Sequence, residues 1–335
     1  MGHAILMAAT RRAHAGLALP ALLATLLLAT LLLAAAPSRA EGAPLPVEEV
    51  APGVFVHEGV HELTTEANRG GIANLGFVVG EDAVAVIDAG GSPAVGRALL
   101  AAIRARTDRP VAFVVSTHMH PDHVFGNVAF RGAGEGGADP VFVGHANLPR
   151  ALASRAEHYL ATGREALGEA LMAGVDLRPP DRLVEREATL DLGGRRLLLR
   201  AWGTAHTDND LSALDEATGT LFAGDLVFLG HLPVIDGSLL GWLAAMEDLA
   251  ALPARRVVPG HGPASAPWPE ALAPQRAYLE GLAADLRALL AEGAGLAEAV
   301  ERVPAPRGAP EGGWALVEAH HRRNATAGYA ELEWE

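Results

Sequence analysis

The sequence predicts an α/β protein in which two β-sheets lie between helical layers. Three observations lead there. A β-rich block followed by a strand–helix–strand unit occurs twice, in the same order of elements and without any repeated sequence. Residues 111–115, Val-Ala-Phe-Val-Val, form an unbroken apolar run of the kind buried on both faces of a sheet. Residues 267–331 read as mainly helical.

Each element has a local reason. Val54-Phe55-Val56-His57 opens the β-structure, and residues 74–88 read as two strands turning at Gly80-Glu81-Asp82. Ser92-Pro93 marks a helix start, because the hydroxyl accepts a bond from a first-turn N–H and proline needs none there. That helix is expected to reach about Arg106. The strand 111–115 then delivers Ser116-Thr117-His118 into a loop. In the second round Val141-Phe142-Val143 is a strand, residues 148–173 are helical and Arg178-Pro179-Pro180 is a loop. Hairpin-like strands are expected over 188–201 and 211–223, the latter turning at Thr218-Gly219. A helix from Ser238 to Leu252 precedes a short strand, Arg256-Val257-Val258, that stops at Pro259-Gly260.

Residues 1–40 read as an export signal. Arg11 and Arg12 precede an uncharged Ala/Leu run from Ala15 to Ala36, and Pro37-Ser38-Arg39-Ala40 offers small residues for cleavage after Ala40. The run is also about the 20 residues that span a bilayer, so a retained anchor is the alternative. Thr10-Arg11-Arg12 loosely resembles a twin-arginine signal. Residues 41–52 are read as a linker, and 53–335 as the folded domain. The expected location is periplasmic or secreted.

Composition excludes several chemistries. The 335 residues include no Cys, which removes disulfides, thiolate nucleophiles, Cys-type zinc sites and iron–sulfur clusters. All 26 basic residues are Arg, so Schiff-base and Walker-type lysine chemistry is absent. A net charge of −14 argues against a nucleic-acid partner and leaves a small molecule as the expected one.

The chemistry is concentrated in His118-Met119-His120-Pro121-Asp122-His123, four metal-competent side chains in six residues just after a buried strand. In an extended loop alternate residues point the same way, so His118 and His120 can grip one ion. Asp122 and His123 face elsewhere and can serve a second. His206, Asp225 and His261 each follow a predicted strand, at the sheet edge where ligands of α/β proteins collect.

In order along the chain, His118, His120, Asp122, His123, His206, Asp225 and His261 resemble the metal motifs of the metallo-β-lactamase-fold hydrolases. The resemblance extends from Asn74-Leu75-Gly76 and Ile87-Asp88-Ala89-Gly90 onward. It implies an αββα sandwich, two mixed sheets between helical layers, with two zinc ions at one edge. It implies that His118, His120 and His206 hold the first ion, that Asp122, His123 and His261 hold the second, and that Asp225 bridges them. Asp88 corresponds to the family's structural aspartate, which supports the ligands without being one. Zinc β-lactamases of the best-known class have Cys where this chain has Asp225; an Asp there resembles the glyoxalase II-like and lactonase-like branches. Residues 205–210, the run 230–238 and the ending Ala330-Glu331-Leu332-Glu333-Trp334 look like the exported quinoprotein relay system zinc metallohydrolases. That resemblance implies a functional link to a periplasmic quinoprotein dehydrogenase.

The activity expected is hydrolysis of a small ester, lactone, thioester or amide. Two zinc ions sharing a water lower its pKa from about 15.7 to near 7, generating hydroxide at neutral pH. Asp122 can orient that hydroxide as the catalytic carboxylate. His231 and Asp236 follow Asp225 in a loop expected to border the site and contact substrate; for Asp236, capping of the helix after Ser238 is the alternative. Asp208 and Asp210 are read as supporting carboxylates at most. His57, His61, His145 and His158 are read as packing or surface residues, His61 alternatively lying in a flap over the metals. His320-His321-Arg322-Arg323 is read as a solvated helix face, and Asn324-Ala325-Thr326 fits a glycosylation sequon that the bacterial type of the export signal discounts. Two other readings stand beside hydrolysis: an iron-dependent oxidoreductase on the same fold, since an all-His/Asp site also accepts iron, and a non-catalytic metal-binding accessory of a dehydrogenase.

Overall fold

The computed structural model describes Met1 and residues 42–335. The expected export signal and its cleavage point after Ala40 lie outside the described residues, Met1 aside.

The first sheet runs in the order β1 (Glu48–Ala51), β2 (Val54–His57), β3 (Leu75–Val79), β4 (Val84–Ile87), β5 (Val111–Val115), β6 (Val141–His145) and β7 (Arg182–Val184). It is antiparallel up to β4 and parallel from β4 to β7. The second sheet contains β8 (Glu187–Asp191), β9 (Arg196–Ala201), β10 (Leu211–Asp215), β11 (Thr220–Phe228), β12 (Arg256–His261) and β13 (Ala266–Pro267), in the order β13-β12-β11-β10-β9-β8. There only β11 and β12 run parallel. Both sheets are mixed, as the αββα sandwich requires.

Strand periodicity shows which face meets which layer. Val54 and Val56 enter the core between the sheets, where they join Leu197, Leu199, Phe222 and Val258, whereas Phe55 turns outward. Val84 and Val86 face outward and Ala85 and Ile87 inward, so this strand is apolar on both sides, as the period of two demands. The outer face of the first sheet is covered by α1 (Pro93–Arg104) through Val95, Leu99 and Ile103. The outer face of the second is covered by α4 (Leu239–Ala250) and α5 (Ala273–Ala291) through Trp242, Met246, Tyr278 and Leu282. The remaining helices are α2 (Pro121–Val124), α3 (Leu148–Met172), α6 (Leu296–Arg302) and α7 (Val317–Leu332).

Several boundaries differ from the sequence reading. The expected linker over 41–52 contains β1, a polar edge strand paired with β2. The strand expected to end at residue 223 continues to Phe228, because two register irregularities let β11 pass Gly224 at φ +53° without leaving the sheet. β12 likewise continues through Pro259-Gly260 to His261. The short strands β7 and β13 left no hydropathy pattern long enough to read.

The C-terminal helix α7 fastens the loop 230–237. Asn324 is fully buried, accepts from the Ile235 N–H at 2.9 Å and donates to the Pro233 carbonyl at 2.6 Å and the Tyr278 hydroxyl at 2.9 Å. It is a structural residue with no face for a glycan. Near the end of α7, Glu331 accepts from Ser238 Oγ and the Leu239 N–H, placing a carboxylate at the N-terminus of α4 where the helix dipole favours it. Asn324→Ala strands a buried N–H and two acceptors. It should destabilise the protein by about 2–4 kcal/mol, seen as a lower urea midpoint at unchanged m-value.

Candidate metal centre

Five histidines and two aspartates from both sheets meet at one edge of the sandwich. His118 and His120 leave the end of β5; His120 then caps the single turn α2, which carries Asp122 and His123. His206 sits in the loop between β9 and β10, Asp225 lies within β11, and His261 ends β12. Two of these placements depend on glycine. A Cβ on Gly224 would meet Thr117 Cβ at 2.7 Å, and one on Gly260 would meet Asp225 Oδ1 at 1.9 Å. Without those two glycines β11 and β12 could not bring their carboxylate and imidazole to the same point.

Every one of the five histidines has one ring nitrogen committed outside the cluster. His118 Nδ1 donates to Thr117 Oγ1 at 3.0 Å, and His120 Nε2 to Asp236 Oδ2 at 3.0 Å. His206 Nδ1 donates to the Val234 carbonyl at 2.6 Å, His123 Nδ1 to Asp88 Oδ2 at 2.8 Å, and His261 Nδ1 to the Ile72 carbonyl at 3.0 Å. Each neutral ring therefore turns a lone pair inward.

The inward atoms fall into two groups. His120 Nδ1 lies 3.0 Å from both His118 Nε2 and His206 Nε2, with Asp225 Oδ2 3.3 Å from the latter. His261 Nε2 lies 3.3 Å from Asp122 Oδ2, and His123 Nε2 lies 3.6 Å from the same oxygen. Asp225 faces both groups, its Oδ1 3.2 Å from His123 Nε2 and its Oδ2 3.5 Å from His261 Nε2. His123 Nε2 and Asp225 Oδ1 are buried without a hydrogen bond. A cluster of acceptors with no donor among them is unfavourable unless cations sit between them.

The charges say the same. Burial holds His118 and His206 neutral, pushing His206 down to about 3. Burial opposes charge on His123 and His261 too, yet Asp225 and Asp122 outweigh it and raise His261 to about 9. Asp225 and Asp122 stay ionised despite burial because these imidazoles face them. The cluster demands positive charge, for which protons and metal ions compete at the same lone pairs. His, Asp donors in two groups of four and three fit two small divalent cations such as zinc.

The surrounding residues hold this arrangement. Asp88, at φ +59°, accepts from Thr117 N at 2.8 Å, Thr117 Oγ1 at 2.8 Å and His123 Nδ1 at 2.8 Å, so it positions two of the converging imidazoles, His118 through the threonine and His123 directly. Asp236 was expected to contact substrate or to cap a helix. Ser238 is the cap, and Asp236 grips His120 while bordering the cleft. Asp210 accepts from Thr207 N at 2.9 Å and Thr207 Oγ1 at 2.6 Å, shaping the loop of His206, whereas Asp208 pairs with Arg150.

A cleft of about 360 Å³ opens over the cluster. His231 borders it as expected, but buried, with its ring 4.8 Å from His261 and 5.3 Å from His320. His61 is set edge-on to His231 at 5.9 Å, in a segment whose neighbours Glu62, Leu63 and Thr64 line the cleft. The reading of 320–323 as a solvated face is overturned: His320 and Arg323 line the cleft, and His321 is buried against Tyr278 and the Pro304 carbonyl. Arg322 and Arg323 are exposed, Arg322 paired with Glu301. Arg155, His158, Tyr159 and Thr162 of α3 also line it; their helical spacing was the one signal available for them.

An α/β sandwich with a His/Asp cluster for two cations at one edge defines a class of metalloproteins. Residues 68–261 match the family model of the Metallo-beta-lactamase superfamily, and the chain belongs to that superfamily. No curated protein matches it significantly. Among solved structures it is similar to the inverting sec-alkylsulfatase Pisa1 from Pseudomonas sp., at 17% identity and TM-score 0.65, over 86% of this chain and 50% of that one. The chain thus spans half the sulfatase's length. It is also similar to a beta-lactamase domain protein from Burkholderia ambifaria (20% identity, 90% of this chain and 91% of that one, TM-score 0.62). A metallo-beta-lactamase from Pontibacter korlensis aligns at 22% identity over 70% of this chain and 99% of its own, with TM-score 0.56.

His320 provides a pH test of the cleft. Burial, reinforced by Arg323, lowers it to about 4, and burial lowers His231 to about 3. Between the unfolded value near 6.5 and these values the unfolded chain binds protons that the native chain refuses, so stability falls as pH falls. From pH 7 to 5, His320→Gln should lose less stability than the wild type, by on the order of 1 kcal/mol in urea titrations.

Proposed function

We propose that the protein is an exported dinuclear zinc hydrolase acting on a small ester, lactone, thioester or amide. The observation that carries this reading is the convergence of five imidazole lone pairs and two carboxylates on the floor of an open cleft. Similar folds belong to proteins named as a sulfatase and as beta-lactamases, which supports hydrolysis as the reaction class. His118, His120 and His206 would hold one ion, Asp122, His123 and His261 the other, and Asp225 both. Bound zinc supplies an acidified water and a Lewis acid for the substrate's carbonyl oxygen.

The chain's own contribution is orientation. The outward hydrogen bonds to Asp88, Asp236, Val234 and Ile72 fix the ring tautomers before anything binds. Asp122, 15% exposed against 4% for Asp225, is the carboxylate of the cluster more open to the cleft and would accept the hydrogen bond that orients an attacking water. Phe228, Ile72, Val234 and Leu316 supply apolar wall that limits competing water. Two donor groups favour this reading over a one-iron oxidoreductase, which needs a single group. Export and association with a quinoprotein dehydrogenase rest on residues 1–40 and the motifs at 205–210 and 230–238. Sequencing the secreted protein from its N-terminus should begin near Glu41, whereas an intact Met1 in membranes would identify an anchor.

Native mass spectrometry should find two zinc ions per chain. Asp225→Asn keeps the shape but removes the bridging charge. It should lose at least one ion, lower the melting temperature of the zinc-loaded protein, and cut ester or thioester hydrolysis by more than the roughly 10–100-fold that losing a ligand's supporting partner costs. Full zinc content with wild-type turnover in Asp225→Asn would sink the assignment. A metal-loaded wild type inert towards esters, lactones, thioesters and amides would leave the accessory role.

A further inference from the structure

One end of the cleft carries charge that the metal centre does not use. Arg155 on α3 and Arg323 on α7 each place Nη2 3.3 Å from the same oxygen, Asp236 Oδ1, while the other oxygen of Asp236 takes His120. Among the described residues neither guanidinium has another hydrogen bond, although each carries five N–H groups. Two cations on one carboxylate leave a positive charge unbalanced, in a chain whose net charge is −14. Both remain open to the cleft, at 41% and 52% exposure. The lining carboxylate outside the Asp122, Asp225 and Asp236 set is Glu62, an exposed residue engaged by Asn68.

A second observation points to the same spot. Tyr159, one turn after Arg155, is 7% exposed, and its hydroxyl is buried without a hydrogen-bond partner while the residue lines the cleft. Its ring stands edge-on to His120 at 6.4 Å, one helical turn from Arg155, which sets it beside both that arginine and an imidazole of the cluster. Burial raises its pKa, so the hydroxyl remains a donor at any working pH. A buried donor without an acceptor costs free energy that a bound acceptor recovers.

We propose that Arg155, Arg323 and Tyr159 form a carboxylate-binding subsite, so that the substrate is an anionic ester, thioester or amide with a carboxylate close to the bond cleaved. A carboxylate suits the site because its two oxygens match the fork of a guanidinium and can accept from the tyrosine as well. This deepens the hydrolase reading and rests on it for the cleavage step, but not for the binding step.

The test uses the zinc-loaded full chain and two esters of equal length, mono(4-nitrophenyl) glutarate and 4-nitrophenyl pentanoate, which differ in charge at the far end. Wild type should favour the glutarate ester by about tenfold or more in kcat/KM, mostly through KM. Arg155→Met and Arg323→Met should each reduce that ratio several-fold, and Tyr159→Phe should reduce it less. In titration calorimetry free glutarate should bind at least tenfold more weakly to the double arginine variant. A ratio near one in wild type, or a ratio and glutarate affinity indifferent to the arginines, overturns the subsite while leaving hydrolysis standing. Arginine-dependent glutarate binding without turnover of either ester supports the subsite and counts against the hydrolase reading instead.

Discussion

The rest of this structure depends on one electrostatic constraint: five imidazoles and two carboxylates, five of the seven buried, turn their acceptor atoms on one another and demand positive charge between them. Coulomb repulsion and lost hydration make such a cluster costly, and the cost is met by cations inside and by a fixed ring of partners outside. That ring is why Asp88 adopts a left-handed backbone conformation at the end of β4. The turn lets one carboxylate reach both Thr117 and His123, and thereby His118 through the threonine hydroxyl. A strained residue is tolerated there because three hydrogen bonds over-determine its position.

The same constraint explains the glycines in β11 and β12. A metal cluster built across two strands needs their backbones closer than side chains normally allow. Gly260 leaves room for the Asp225 carboxylate, and Gly224 bends β11 against Thr117. Trp242 then closes the underside, packed 5.4 Å from the His206 ring and donating to the Leu226 carbonyl at 3.1 Å. The helical layer thus does more than cover the second sheet: it buttresses one of the converging imidazoles. α7 does likewise at longer range, since Asn324 ties down the loop whose Val234 carbonyl orients His206.

How much of this could be read in advance follows from where the information lies. The H-x-H-x-D-H run is local, so four ligand candidates were legible as one motif. His206, Asp225 and His261 were legible because each follows an apolar strand and falls in a recognised order. Strand lengths were less so: Gly224 and Pro259-Gly260 look like terminators in sequence, but become a bulge and a continuation once a parallel neighbour supplies the ladder. The role of Asp236 was hidden because its partners lie at the start of α2 and on α3 and α7, up to 116 residues away. His320 to Arg323 look like an exposed polar run for the same reason; only the packed position of α7 shows that two of the four turn into the cleft.

Asp236 is where these two levels of organisation meet. Its Oδ2 holds the Nε2–H of His120, and so fixes the lone pair that His120 turns to the cluster. Its Oδ1 is shared by two guanidiniums that belong to the cleft wall. Those charges, together with His120, keep the carboxyl ionised well below its ordinary range although burial opposes it. A single carboxylate therefore links the cleft wall to an imidazole of the cluster. Sheet edges, the turn α2 and the β9–β10 loop bring the acceptors together, and α3 and α7, elements outside both sheets, add the arginines beside them. The sandwich positions the cluster, and the helices packed at its rim supply charged groups that line the cleft above it.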